Sequence, residues 1–153
     1  MTAVLVHATA VVIGTTGVVL LGPSGAGKST MAMQMIAGAR QAGHFATVVS
    51  DDQIFLDVLN GRVVARAPDT IRGLIELRGS GVAKIDSIDQ AVMHLALSLV
   101  TADAETRIPE ENQSWNPHPG IALPLFFIDR TVAAPFYWLS VLIPGFPTIY
   151  PVA

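Results

Sequence analysis

Gly22-Pro23-Ser24-Gly25-Ala26-Gly27-Lys28-Ser29 satisfies the pattern G-x-x-x-x-G-K-[ST] at every fixed position, and Thr30 follows it directly. The residue types explain one chemistry. Glycines let the backbone curl so that its N–H groups point inward at phosphate oxygens. A helix starting at the end of the loop adds partial positive charge. Lys28 can reach the β- and γ-phosphates, and the Ser29 hydroxyl can serve Mg²⁺. From average residue usage, the four fixed positions arise by chance in on the order of 1% of chains of this length. The motif predicts a nucleotide triphosphate site but not what becomes of the phosphate.

Such a site needs an acid near the metal, commonly where an apolar strand ends. Val48-Val49-Ser50-Asp51-Asp52 supplies two. Neighbouring strand residues point to opposite sides, so one aspartate can face the phosphates while the other faces an adjoining element. An ordinary turn would explain the pair in isolation; beside a phosphate loop we read it as functional. Glu76 and Arg78 stand two apart in Ile75-Glu76-Leu77-Arg78-Gly79-Ser80-Gly81 and share a face if that segment is a strand. They could form an exposed salt bridge or the edge of an active site. His7 precedes the loop on an apolar, alternating segment, where a lone histidine is usually structural.

The elements that must position these groups can be read in outline. Leu5 to Val11 alternates and predicts a strand; Gly14 to Gly17 predicts a turn, and Val18 to Leu21 a buried strand. Lys28 to Gln41 has helical composition, with Met31, Met35 and Ile36 on one face and Gly43 placed to end it. Ala46 to Ser50 is strand-like. Asn60-Gly61, between Ile54–Leu59 and Arg62–Ala65, is a hairpin signal. Asp69 could cap a short helix through Arg72. Leu74 to Leu77 predicts a strand and Arg78 to Gly81 a flexible loop. Ala91 to Val100 predicts one late strand, residues 102–120 a polar surface loop, and Ile121 to Ile128 a last strand with Pro124 at an edge or bulge.

Of the 153 residues, 51% are hydrophobic and 14% charged, which excludes a disordered chain. The net charge of −3 argues against a nucleic-acid binder. With no cysteine, disulfides, thiolate metal sites and cysteine nucleophiles are excluded, which fits a cytoplasmic protein. We divide the chain into an α/β unit, 1–130, with a mixed sheet, hairpins and a P-loop helix, and an uncharged tail, 131–153. Four prolines in that tail argue against a membrane helix, so it is expected to cover the core or a subunit contact. Seven of the ten aromatic residues follow residue 125, which concentrates the apolar surface there.

These residues in combination resemble the catalytic domain of the HPr kinase/phosphorylase family. The resemblance rests on His7, GPSGAGKS, Gly43-His44, VVSDD, the Asn-Gly hairpin, Ala67-Pro68, IELRGSG, Glu105-Thr106-Arg107 and Leu123-Pro124, over roughly residues 4 to 128. It implies a fold related to phosphoenolpyruvate carboxykinase, a hexamer, and an ATP- and Mg²⁺-dependent serine kinase of the phosphocarrier HPr, with possible reversal by phosphorolysis. It implies that Asp51 is the general base, that Asp52 pairs with His7, that Lys28 and Ser29 bind phosphates and Mg²⁺, that Glu76 organises metal and phosphate, and that Arg78 supports that edge. The family's late proline-glycine-arginine loop has no match here; Arg130, in Asp129-Arg130-Thr131, is nearest in spacing. The alternatives are a P-loop kinase of another substrate and an ATP-binding regulator without turnover.

Overall fold

The computed structural model describes residues 3–103 and 108–148. In chain order the elements are β1 (Val4–Val6), β2 (Thr9–Ile13), β3 (Thr16–Leu21), α1 (Lys28–Gln41), β4 (Ala46–Ser50), β5 (Ile54–Leu59), β6 (Arg62–Arg66), β7 (Leu74–Leu77), β8 (Gly81–Lys84), β9 (Gln90–Val92), β10 (Leu95–Val100), β11 (Ser114–His118), β12 (Ile121–Asp129) and α2 (Pro135–Leu142). The main sheet has the order β11-β12-β10-β3-β2-β4. It is mixed: β3, β10, β12 and β4 run one way and β2 and β11 the other. A second, antiparallel sheet has the order β1-β5-β6-β9, and β7–β8 is a separate hairpin.

Strand alternation builds two cores. Val18 and Leu20 of β3 face α1, where they meet Met31, Met35 and Ala39. Val19 and Leu21 face the second sheet, where they meet Ile54, Leu56 and Ala65. The molecule is therefore three layers: helices, mixed sheet, antiparallel sheet. Leu139, Ile143 and Phe146 from the uncharged tail complete the helix-side core. No described helix is long and apolar enough to cross a membrane.

Several expected elements are redrawn. The strand expected over residues 5–11 breaks at His7-Ala8, because β1 pairs with β5 of the second sheet while β2 stays in the main one. The strand expected over residues 91–100 breaks at Met93-His94 for the same reason: β9 pairs with β6 and β10 with β3. The polar stretch 102–120 contains β11, an edge strand that tolerates Pro117 and packs Trp115 on the second core. Pro124 lies inside β12, but pairing with β10 begins only at Leu125, so no ladder bond is lost on that side. Asp69 caps nothing. Pro68 stands at the cap of a short 3₁₀ turn, and the Asp69 carboxylate instead takes Arg72 Nη2 at 2.6 Å. Arg78 to Gly81 is the tip of the β7–β8 hairpin. Glu105-Thr106-Arg107 lies outside the described residues.

Candidate active site

The topology brings the chemistry to one edge of the main sheet. The glycine loop leaves the C-terminal end of β3, the two aspartates leave the C-terminal end of β4, and β2 begins between them at Thr9. At this edge β2 and β4 slip register, with Ala10 opposite Ser50 but Val11 opposite Val48. Such a bulge re-aims the residues beside it, here the segment leading into Asp51-Asp52.

The loop enters α1 through Gly27 at φ 97°, a left-handed conformation that favours glycine. Lys28 is buried. Its Nζ donates to the Gly22 carbonyl at 2.6 Å and the Pro23 carbonyl at 3.3 Å. It also lies 3.7 Å from Asp52 Oδ1. Ser29 Oγ donates to Asp51 Oδ1 at 2.7 Å.

The two aspartates part ways. Asp51 is 7% exposed and satisfied from three elements. Oδ1 accepts from Ser29 Oγ and, at 3.0 Å, from Thr9 Oγ1, while Oδ2 accepts from the Glu76 backbone N–H at 3.2 Å. Asp52 sits at φ 66°, and its side chain is 54% exposed toward the cleft. Its backbone is clamped from β2's end: Asp52 N–H donates to Thr9 Oγ1 at 3.1 Å, and Ala8 N–H donates to Asp52 O at 3.1 Å.

The β7–β8 hairpin closes the third side. Ile75 is buried, so Glu76 and Arg78 turn outward together. They form no ion pair with each other; Arg78 Nη1 reaches the Gly25 carbonyl at 3.3 Å. Ser24, Gly25, Gly27, Lys28, Ser29, Thr30, Asp51, Asp52, Glu76 and Arg78 line one cleft of about 210 Å³. Pro23 and Ala26 hold the loop's shape, with Ala26 N–H donating to Pro23 O at 3.0 Å.

His7 does not join them. It stands exposed on the bend between β1 and β2, with no hydrogen bond or ion pair to a described residue, and the Asp52–His7 pairing is not formed. Asp52 has Lys28 as its ionic partner instead. Arg130 follows β12 and does not line the cleft. Thr9 was not legible as a site residue. Its one signal is a hydroxyl in an otherwise apolar strand beside the phosphate loop.

A glycine loop between strand and helix, a lysine at its end and a carboxylate on its serine thus sit on a mixed α/β architecture. Residues 1–107 match the family described as HPr Serine kinase C-terminal domain, and the chain belongs to that family. It is 28% identical over 109 residues to an HPr kinase/phosphorylase of Clostridium beijerinckii, covering 71% of this chain and 32% of that one. It is 31% identical over 111 residues to the enzyme of the same name from Mycoplasmopsis pulmonis, covering 72% and 34%. The chain thus spans about a third of the length of the curated relatives it matches. The structure of the Hpr(Ser) kinase/phosphatase from Coxiella burnetii shares the fold, with a TM-score of 0.71 at 24% identity, covering 91% of this chain and 93% of that one.

Proposed function

We propose that this chain is an ATP- and Mg²⁺-dependent serine kinase of an HPr-type phosphocarrier, working in the cytoplasm on a P-loop scaffold of the phosphoenolpyruvate carboxykinase type. The observation that carries the reading is Asp51, which gathers the loop serine, β2 and the Glu76 strand around one carboxylate. The residues suit the two groups the reaction needs. Gly25 and Gly27, at φ 83° and 97°, take the left-handed conformations that curl a loop around phosphates. Ser29, Asp51 and Glu76 offer hard oxygen ligands of the kind Mg²⁺ takes. No group of three or more His, Asp or Glu side chains stands ready to hold a metal alone among the described residues.

When bound, ATP supplies the γ-phosphoryl group and Mg²⁺ offsets its charge. The protein's part is placement and proton handling. Lys28 and the loop N–H groups would hold the phosphates. Arg78 steadies the outer side of the loop through Gly25. The acceptor serine must lose a proton as its oxygen attacks, and a carboxylate in hydrogen-bond reach can take it. The resemblance gives that role to Asp51. The geometry favours a different division: Asp51, buried and shared with Ser29, serves the metal side, while Asp52, open to the cleft beside Lys28, meets the hydroxyl. Phosphorolysis would use the same carboxylate as an acid.

The test is phosphoserine formation on HPr from the same organism, with ATP and Mg²⁺. Wild type should phosphorylate it. Lys28→Ala and Asp52→Asn should each lose about 100-fold or more in kcat, and Asp51→Asn should also raise the Mg²⁺ requirement. If wild type transfers nothing to HPr, the reading fails. Transfer to a different acceptor would identify a kinase of another substrate, and tight ATP binding without transfer a regulator.

A further inference from the structure

We propose that Thr9 is a positioning residue of the phosphotransfer site, whose hydroxyl sets the two aspartates apart and aims each at its task. The inference rests on the kinase reading for its purpose, but its geometry stands independently.

Thr9 is fully buried in an apolar strand, between Ala8 and Ala10. Valine would fill nearly the same volume and suits a strand equally well, so packing alone does not call for threonine. A buried hydroxyl is costly unless it is hydrogen-bonded. This one is used in both directions available to it. It donates to Asp51 Oδ1 at 3.0 Å and accepts from Asp52 N–H at 3.1 Å. The donation fixes the oxygen that also receives Ser29 Oγ, so the rotamer of Asp51 and the direction of Ser29 are coupled through it. The acceptance satisfies an N–H that has no other hydrogen-bond acceptor among the described residues.

That second bond bears on conformation. Asp52 is held at φ 66°, where a non-glycine residue persists only if its surroundings insist. Thr9 grips the N–H of residue 52 and the neighbouring Ala8 N–H grips its carbonyl. Together they hold the turn that separates Asp51, pointing inward to Ser29, from Asp52, pointing outward to the cleft. Without the hydroxyl, Asp51 Oδ1 keeps one donor of two, Asp52 N–H is left without a protein partner, and nothing on the N–H side enforces the left-handed turn.

Two readouts test this on the full chain: the Mg²⁺ concentration giving half-maximal tightening of ATP binding, by titration, and kcat for HPr phosphorylation. Thr9→Val and Thr9→Ala, both without the hydroxyl, should need about 10-fold more Mg²⁺ and lose about 10- to 100-fold in kcat, the usual effect of removing a group that orients a ligand. Thr9→Ser, which keeps the hydroxyl, should stay within about threefold of wild type. Melting temperatures are taken alongside, because a merely structural role would lower stability without moving the Mg²⁺ dependence of the folded variant. Either folded hydroxyl-free variant with wild-type Mg²⁺ dependence overturns the proposal. So does Thr9→Ser being as impaired as Thr9→Val, or wild type whose ATP binding ignores Mg²⁺. Wild type that binds ATP with Mg²⁺ but leaves HPr unmodified overturns the kinase reading alone, and the Mg²⁺ titration still decides the role of Thr9.

Discussion

Asp51 and Asp52 share a side chain and a peptide bond, yet one is buried with three donors and the other stands open beside a lysine. The difference comes from one left-handed backbone angle and the hydroxyl of Thr9, not from aspartate itself. Adjacency in the sequence showed that the pair would diverge. It could not show which member would face the cleft, because a bulge in β4 precedes them. A second residue makes a different kind of contact. His94 stands where the chain passes between the two sheets, and its Nδ1 accepts from Gly17 N–H at 2.9 Å while its backbone N–H donates to Gly17 O at 2.8 Å. Burial, and then the positive charge of Arg62, hold the imidazole below its ordinary value. A depressed histidine is neutral in the fold at a pH where the unfolded chain is already protonated. Its contribution to stability is therefore complete above about pH 6.5 and is lost as pH falls through the lowered folded value. Thermal melting followed from pH 8 to pH 5 should show it: His94→Phe should flatten the fall in melting temperature below pH 6.5, and an unchanged slope would refute the assignment.

At the scale of elements, what was legible followed from local rules. Lys28–Gln41, Ala46–Ser50, Ile54–Leu59 and Leu74–Leu77 have the bounds their periodicity and flanking glycines indicate. What was not legible was which sheet a strand joins. The segments 5–11 and 91–100 each look like one apolar run, and each crosses from one sheet to the other at a single break. Periodicity records which residues are buried, not against what. The packing of α2 on α1 is equally non-local, and it depends on Gly38: a Cβ there would lie 2.8 Å from Cβ of Phe136. Alanine would gain about 1 kcal/mol in helix propensity. Overpacking against a Cβ, which cannot swing away, costs about 1–3 kcal/mol. The second effect wins, so Gly38→Ala should lower stability by about 1 kcal/mol in urea unfolding. A gain in stability would mean that α2 moves freely on α1.

For the whole molecule, the question is what becomes of the apolar surface that the composition announces. Part of it is internal: Leu139, Ile143 and Phe146 close the helix-side core. The rest is not. On α2, Tyr137 is 70% exposed, Trp138 51%, Val141 67% and Leu142 45%; Tyr137 and Val141 lie opposite Leu139, with Trp138 and Leu142 along one flank. Exposed apolar side chains gathered along one short helix suit an interaction surface, and the subunit contact expected of the tail is tested there. The face is remote from the cleft: α2 touches α1 around Gly38, ten residues and about 15 Å along the helix from Lys28. Assembly and nucleotide binding should therefore separate. Trp138→Glu combined with Val141→Glu should shift the protein to monomer in sedimentation velocity while leaving the Mg²⁺-dependent affinity for ATP within about twofold, since charges this far from the site are largely screened at physiological salt. Wild type that already sediments as a monomer would rule out self-association. Loss of ATP binding in the monomeric variant would mean instead that a neighbouring copy helps to form the site.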